Sequence, residues 1–160
     1  MKKHRPRPFT LPRAEPSKEP RKLVLYVEDD EANREVASAR LAKGYQVVLA
    51  VDDREACKAV LEHGAQLSLI LMDIELQGSA LNGIDLTRLF RGKPSAVIAP
   101  SYAVGMTPID TPILFVTAYG ERYDRSELLA AGGDEIIQKP VDFVALHTAM
   151  ARAYLGRLHS

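Results

Sequence analysis

The chain has 160 residues, enough for one domain plus extensions, and at 46% hydrophobic and 26% charged it can bury a core. No apolar run approaches the roughly 20 residues that span a bilayer, and the basic N-terminus lacks the apolar stretch of a secretory signal. The single Cys57 excludes an intramolecular disulfide framework, so a soluble, cytoplasmic protein is expected.

The formal charge is zero, but residues 1–22 carry eight Lys and Arg against Glu15 and Glu19, which leaves this segment at +6 and the remainder at −6. Residues 1–20 also hold five of the ten prolines. A segment so poor in apolar residues cannot offset its ordering entropy, so residues 1–21 are expected to be a disordered or polyproline-like basic extension. Residues 22–160 then form a single domain.

Within that domain, strand and helix patterns alternate. Leu23–Val27 is a continuous apolar strand, and Glu31–Lys43 reads as a helix capped by Asp30 and stopped by Gly44. Tyr45–Val51 is strand-like, and Asp53–His63 is a helix closed by Gly64. Leu67–Met72 is the third apolar run, followed by a short helix over Ile84–Arg91 that ends at Gly92. Ile113–Val116, a helix over Ser126–Ala131, Glu135–Gln138 and a last helix from Asp142 to about Leu158 complete the chain.

Five strands alternating with five helices predict an α/β fold, a flavodoxin-like doubly wound (βα)5 domain with a parallel five-stranded sheet in the order 2-1-3-4-5. The nearly unbroken apolar strands agree, because parallel sheets are buried on both faces. Residues 92–111 form an extended loop between the third helix and the fourth strand, longer than compact domains usually contain. As a helix-to-strand connection it is expected at the amino ends of the strands, where it and the N-terminal extension would form a second docking surface. No chain remains after the fifth helix for an effector domain, so a stand-alone module with no DNA-binding domain of its own is expected.

The informative residues lie just past the strands. Glu28 and Asp29 follow the first, Asp73 the third, Thr117 the fourth, and Lys139 the fifth. In an open parallel sheet, ligands bind at the carboxyl ends of the strands, so these residues should converge. Like charges 4 Å apart repel by about 4 kcal/mol at an effective dielectric of 20, so three carboxylates demand a cation or must hold protons. Carboxylates with a carbonyl and waters suit Mg²⁺. A divalent ion, an ammonium and a hydroxyl around one aspartate make a receptacle for a phosphoryl group, and aspartate is an established nucleophile for forming an acyl phosphate.

The segments LVLYVEDDEANR, LILMDIELQGSALNGIDL, ILFVTAYG and IIQKPVDF, in this order, make the chain resemble a response-regulator receiver domain over roughly residues 22–158. The resemblance implies Asp73 as phosphoacceptor, Glu28 and Asp29 as the acidic pair, and Asp29 as the more direct Mg²⁺ ligand. It implies metal ligation by Glu28, Asp29, Asp73 and the Glu75 backbone carbonyl. Thr117 and Lys139 would each bind a phosphoryl oxygen, and the Lys139–Pro140 bond would be cis. It further implies a phosphohistidine donor (a histidine kinase or histidine phosphotransfer protein), a downstream protein target, and a phosphorylation-dependent dimer as one form of output.

Each assignment has a plainer rival: Asp30 as a helix cap, Asp52 and Asp53 as caps on an edge, Thr117 as a buried hydroxyl, Lys139 as a surface lysine, and Cys57 as a packed or surface thiol. The chain also departs from the family pattern. Leu76-Gln77 stands where a Met-Pro pair is usual, and 78–81 lengthens the path to Asn82-Gly83. Ile136 occupies the position of the switch aromatic, and Tyr119 follows Thr117 by two residues. A pseudo-receiver that binds partners without phosphorylation is therefore the alternative reading. A phosphatase of the haloacid-dehalogenase type would need an Asp-x-Asp pair after the first strand, which Glu28-Asp29-Asp30 does not provide.

Overall fold

The computed structural model describes residues 20–118 and 120–158. The basic extension over 1–19 and Tyr119, both singled out above, lie outside the described residues. The elements alternate as expected: β1 (Leu23–Val27), α1 (Glu31–Leu41), β2 (Gln46–Ala50), α2 (Asp53–His63), β3 (Leu67–Asp73), α3 (Gly83–Phe90), β4 (Ile113–Thr117), α4 (Arg125–Ala131), β5 (Glu135–Gln138) and α5 (Phe143–Leu158). All strand pairs are parallel and the order is β2-β1-β3-β4-β5, the flavodoxin-like arrangement.

Strand alternation divides the core into two layers. Leu25, Val27, Ile70, Met72, Ile113 and Phe115 pack beneath α2, α3 and α4, while Val24, Tyr26, Leu69, Leu71, Leu114 and Val116 pack against α1 and α5. Both faces of the central strands are thus covered, which explains their lack of polar alternation. Among the described residues, no helix is long and apolar enough to cross a membrane.

Local chemistry sets the helix starts. Asp30, Asp52, Asn82 and Asp124 each sit in extended conformation before a helix and accept a backbone N–H from its first turn. Asp30 and Asp52 are therefore caps, as their plainer readings held. The glycine stops divide. Gly92 (φ 66°) adopts the left-handed conformation and Gly132 (φ 111°) caps α4 in the same way. Gly44 lies outside that region and Gly64 has φ −45°. There the last turn is closed by ordinary backbone bonds, Tyr45 N–H to Leu41 and Gly64 N–H to Val60, so no left-handed residue is required.

The 92–111 segment departs from expectation. Its ends do meet at the amino edge of the sheet, where the Ile109 N–H bonds the Phe90 carbonyl at 2.8 Å. Its middle climbs the outside of the α2–α3 layer. Ser95 Oγ reaches the Asp85 carboxylate in the first turn of α3, and Tyr102, in a 3-10 turn over Ser101–Ala103, bonds Asp53 at the start of α2. Both contacts lie at helix N-termini, hence at the carboxyl edge. Apolar anchoring explains the path: Ala103 is buried, and Tyr102, Met106 and Ile109 pack on the core.

Candidate functional site

The carboxyl edge of the sheet holds a cavity of about 360 Å³ lined by Glu28, Asp29, Asp30, Glu31, Asn33, Asp73, Glu75, Gln77, Ala118 and Lys139. One ligand oxygen from each of Glu28, Asp29 and Asp73 lies within 4.8 Å of the others. The sheet produces this convergence. β1 and β3 are neighbours, and the register pairs Val27 with Met72, so Glu28 and Asp73 emerge side by side. Lys139 arrives from β5, with its N–H bonded to the Thr117 carbonyl at 2.8 Å and its bond to Pro140 cis.

Glu28 is fully buried and its carboxylate is heavily engaged. It accepts from Tyr26 Oη (3.1 Å), the Asp30 N–H (3.3 Å) and Lys139 Nζ (2.6 Å). Lys139 Nζ also donates to Asp73 Oδ2 at 3.2 Å, so one ammonium bridges two carboxylates. Asp29 is more open, with Oδ2 accepting the Gln77 N–H at 3.0 Å. Arg34 Nη1 bonds the carbonyls of Glu28 and Asp29, which fixes the backbone beneath the acidic pair.

The charge balance is negative. Burial, then the neighbouring Glu28 carboxylate, push the Asp73 carboxyl up to about 7, and Lys139 only partly counters them. Burial opposes the charge on Lys139, but the Glu28 hydrogen bond and the fields of Asp73 and Glu28 outweigh it and hold the ammonium above its ordinary value. Burial and then Glu28 likewise push the Tyr26 phenol upward, so it stays a donor. A dication would relieve this excess. The oxygen-only donor set of Glu28, Asp29 and Asp73, with open solvent access, fits a hard ion such as Mg²⁺.

Two expected residues are placed less directly. Thr117 is buried at the end of β4, where Ala118 rather than Thr117 lines the cavity. The Glu75 side chain points across the mouth, accepting Arg122 Nη1 at 2.9 Å and Tyr123 Oη at 3.1 Å. Sequence reasoning noted Gln77 only as a departure from the family pattern and did not find Tyr26, Arg34, Arg122 or Tyr123. Nothing in their local patterns marks them, since each acts across elements. Ile136 pairs in register with Phe115 and is half-buried against the α2–α4 layer. Cys57 is buried, and burial followed by the nearby Asp53 and Asp52 charges pushes its thiol up to about 12, which makes it an inert packing group.

The model of the response regulator receiver domain family matches residues 24–151. The chain is 33% identical over 135 residues to the response regulator protein FleR of Pseudomonas aeruginosa, covering 84% of this chain but 25% of FleR. It is 33% identical over 136 residues to the two-component response regulator ORR41 of Oryza sativa subsp. japonica, covering 83% of this chain and 94% of ORR41. The chain thus spans a quarter of one relative and nearly all of the other. Among solved structures it resembles the receiver domain of the sensor histidine kinase PA1611 of Pseudomonas aeruginosa, which has a magnesium ion in its active-site cleft. That match has 28% identity and a TM-score of 0.64, and covers 82% of this chain and 96% of the other.

Proposed function

The chain belongs to the response-regulator receiver family, and from that premise we propose that it accepts a phosphoryl group on Asp73 from a phosphohistidine. As a receiver it is a phosphoacceptor signalling domain rather than a turnover enzyme. The observation that carries the assignment is the Lys139 ammonium bridging Glu28 and Asp73 at 2.6 and 3.2 Å within an otherwise acidic cavity. Among the described residues, Asp73 is the carboxylate there that is buried and bonded by the lysine without being consumed by backbone donors.

In the proposed transfer, an ionised Asp73 oxygen attacks phosphorus and a P–O bond forms. The P–N bond breaks, and the donor imidazole leaves with its electron pair. Lys139, already bonded to Asp73, would follow the charge from carboxylate to phosphoryl oxygen, and Thr117, buried at the end of β4, would turn toward the cavity to donate to a second oxygen. Mg²⁺ would be held by Asp29, Asp73 and the Glu75 carbonyl, with Glu28 beside it, and when bound supplies charge neutralisation for the incoming phosphoryl group. Asp29 is the more direct ligand in this reading, because Glu28 already serves Tyr26, Asp30 and Lys139. A histidine kinase or histidine phosphotransfer protein is the implied donor.

The test uses phosphoramidate and Mg²⁺. Wild-type protein should gain one hydroxylamine-labile phosphate, and Asp73→Asn none. An unlabelled wild type would refute the assignment. A pseudo-receiver acting through contacts alone is the second reading, favoured by Ile136 at the switch position. It predicts negligible Mg²⁺ affinity, which titration calorimetry measures directly.

A further inference from the structure

Asp53 is a buried carboxylate outside the phosphoryl pocket, with 3% of its surface exposed. Its neighbour Asp52 already caps α2, so helix capping does not account for it. Asp53 Oδ1 accepts the Arg54 N–H at 3.0 Å, and Oδ2 accepts the Leu81 N–H at 3.0 Å together with the Tyr102 hydroxyl. Its own N–H donates to Ser79 Oγ at 3.1 Å. The Arg54 guanidinium lies over the Tyr102 ring, 4.6 Å from its centroid.

These contacts join the two unusually long loops of the chain. Ser79 and Leu81 belong to the lengthened loop after β3, and Tyr102 belongs to the 92–111 insertion. The same loop carries Gln77, whose N–H fixes Asp29 Oδ2 at 3.0 Å, and turns at Gly78 with φ 77°. A continuous bonded path therefore runs from the insertion through Asp53 to Asp29, the most open of the three clustered carboxylates. A half-satisfied buried carboxylate is costly, so each donor on Asp53 constrains the others.

We propose that Asp53 is a positioning residue: it ties the 79–81 loop to Tyr102, and the insertion thereby sets the orientation of Asp29 and the affinity of the pocket for Mg²⁺. This rests on the receiver reading only in taking Asp29 as a metal-facing group. A protein that seats on the insertion and displaces Tyr102 would alter the pocket without touching it.

The test compares full-length wild type with Tyr102→Phe, Asp53→Asn and the double variant. Tyr102→Phe removes a single hydroxyl from a partly exposed ring, so the fold survives. Metal-free amide exchange at Leu81 and Gln77 should quicken, and the Mg²⁺ dissociation constant should rise, each by about threefold to tenfold, the weight of one hydrogen bond. The double variant should be no weaker than Asp53→Asn alone, because both act through one link. Unchanged Mg²⁺ affinity in Tyr102→Phe, or additive effects in the double variant, would overturn the proposal. Failure of the wild type to take phosphate, with the Mg²⁺ effects intact, would instead remove the phosphoacceptor assignment and leave this coupling standing.

Discussion

Charge gathers at both ends of the sheet, and the two clusters differ in balance. At the amino edge, Arg91 donates from Nε to the Gly132 carbonyl (3.0 Å), from Nη1 to the Ile109 carbonyl (2.8 Å) and from Nη2 to Asp134 Oδ2 (3.1 Å). The same Asp134 oxygen accepts the Ile113 N–H at 2.8 Å. The guanidinium meets the Asp134 carboxylate and, with its other donors, the carbonyls of two separate segments. At the carboxyl edge, Lys139 faces Glu28 and Asp73, with Asp29 close by, and the result is an excess of negative charge. Matched charge holds elements together; an excess of one sign favours a counter-ion.

Breaking the matched cluster should be the more damaging change to the fold. Arg91→Ala removes this guanidinium from Asp134 and from two carbonyls and is expected to cost about 2–4 kcal/mol in urea unfolding, somewhat below a fully buried pair because Asp134 is partly exposed. Phosphoramidate labelling of the protein that remains folded should be unaffected. Loss of labelling at unchanged stability would break the comparison. Gly83→Ala sharpens it from the other side. A Cβ at Gly83 would lie 2.0 Å from the Asp73 carbonyl oxygen, so the end of β3 must shift. The expected cost is about 1–3 kcal/mol, accompanied here by slower labelling. Stability loss without slower labelling would mean that the strand end tolerates displacement.

The fold was legible because its signals are local. Continuous apolar strands, Asp and Asn caps and 11-residue helices each declare themselves within a few residues. The pocket was legible for a related reason: parallel topology delivers every strand end to one edge, so residues such as Asp73 and Lys139 converge without knowledge of side-chain packing. What escaped was set by contacts across many residues of chain. Asp53 read as a cap, yet its partner Tyr102 lies 49 positions away. The insertion was expected at the amino edge because connectivity fixes only its ends, whereas burial of Ala103 and packing of Met106 draw its middle upward.

The smallest effect separates the two clusters by sign. Asp73 has its carboxyl pushed up from 3.8 to about 7, chiefly by burial and by Glu28. Between those values the metal-free folded protein holds a proton that the unfolded chain releases. Stability contributed by this group is therefore complete below about pH 4 and is lost as pH rises through about 7. Asp73→Asn cannot titrate. Without metal it should equal wild type in acid and exceed it at pH 8 by on the order of 2 kcal/mol. Saturating Mg²⁺ at pH 8 should reverse the advantage, because only the carboxylate gains a ligand. Chemical denaturation of both proteins at pH 4.5 and pH 8, with and without Mg²⁺, measures this directly. A pH-independent difference would mean that the negative excess is already neutralised within the protein. Removal of a charge would then destabilise both ends of the sheet alike, and the distinction between a cluster that holds the fold and one that favours a cation would fail.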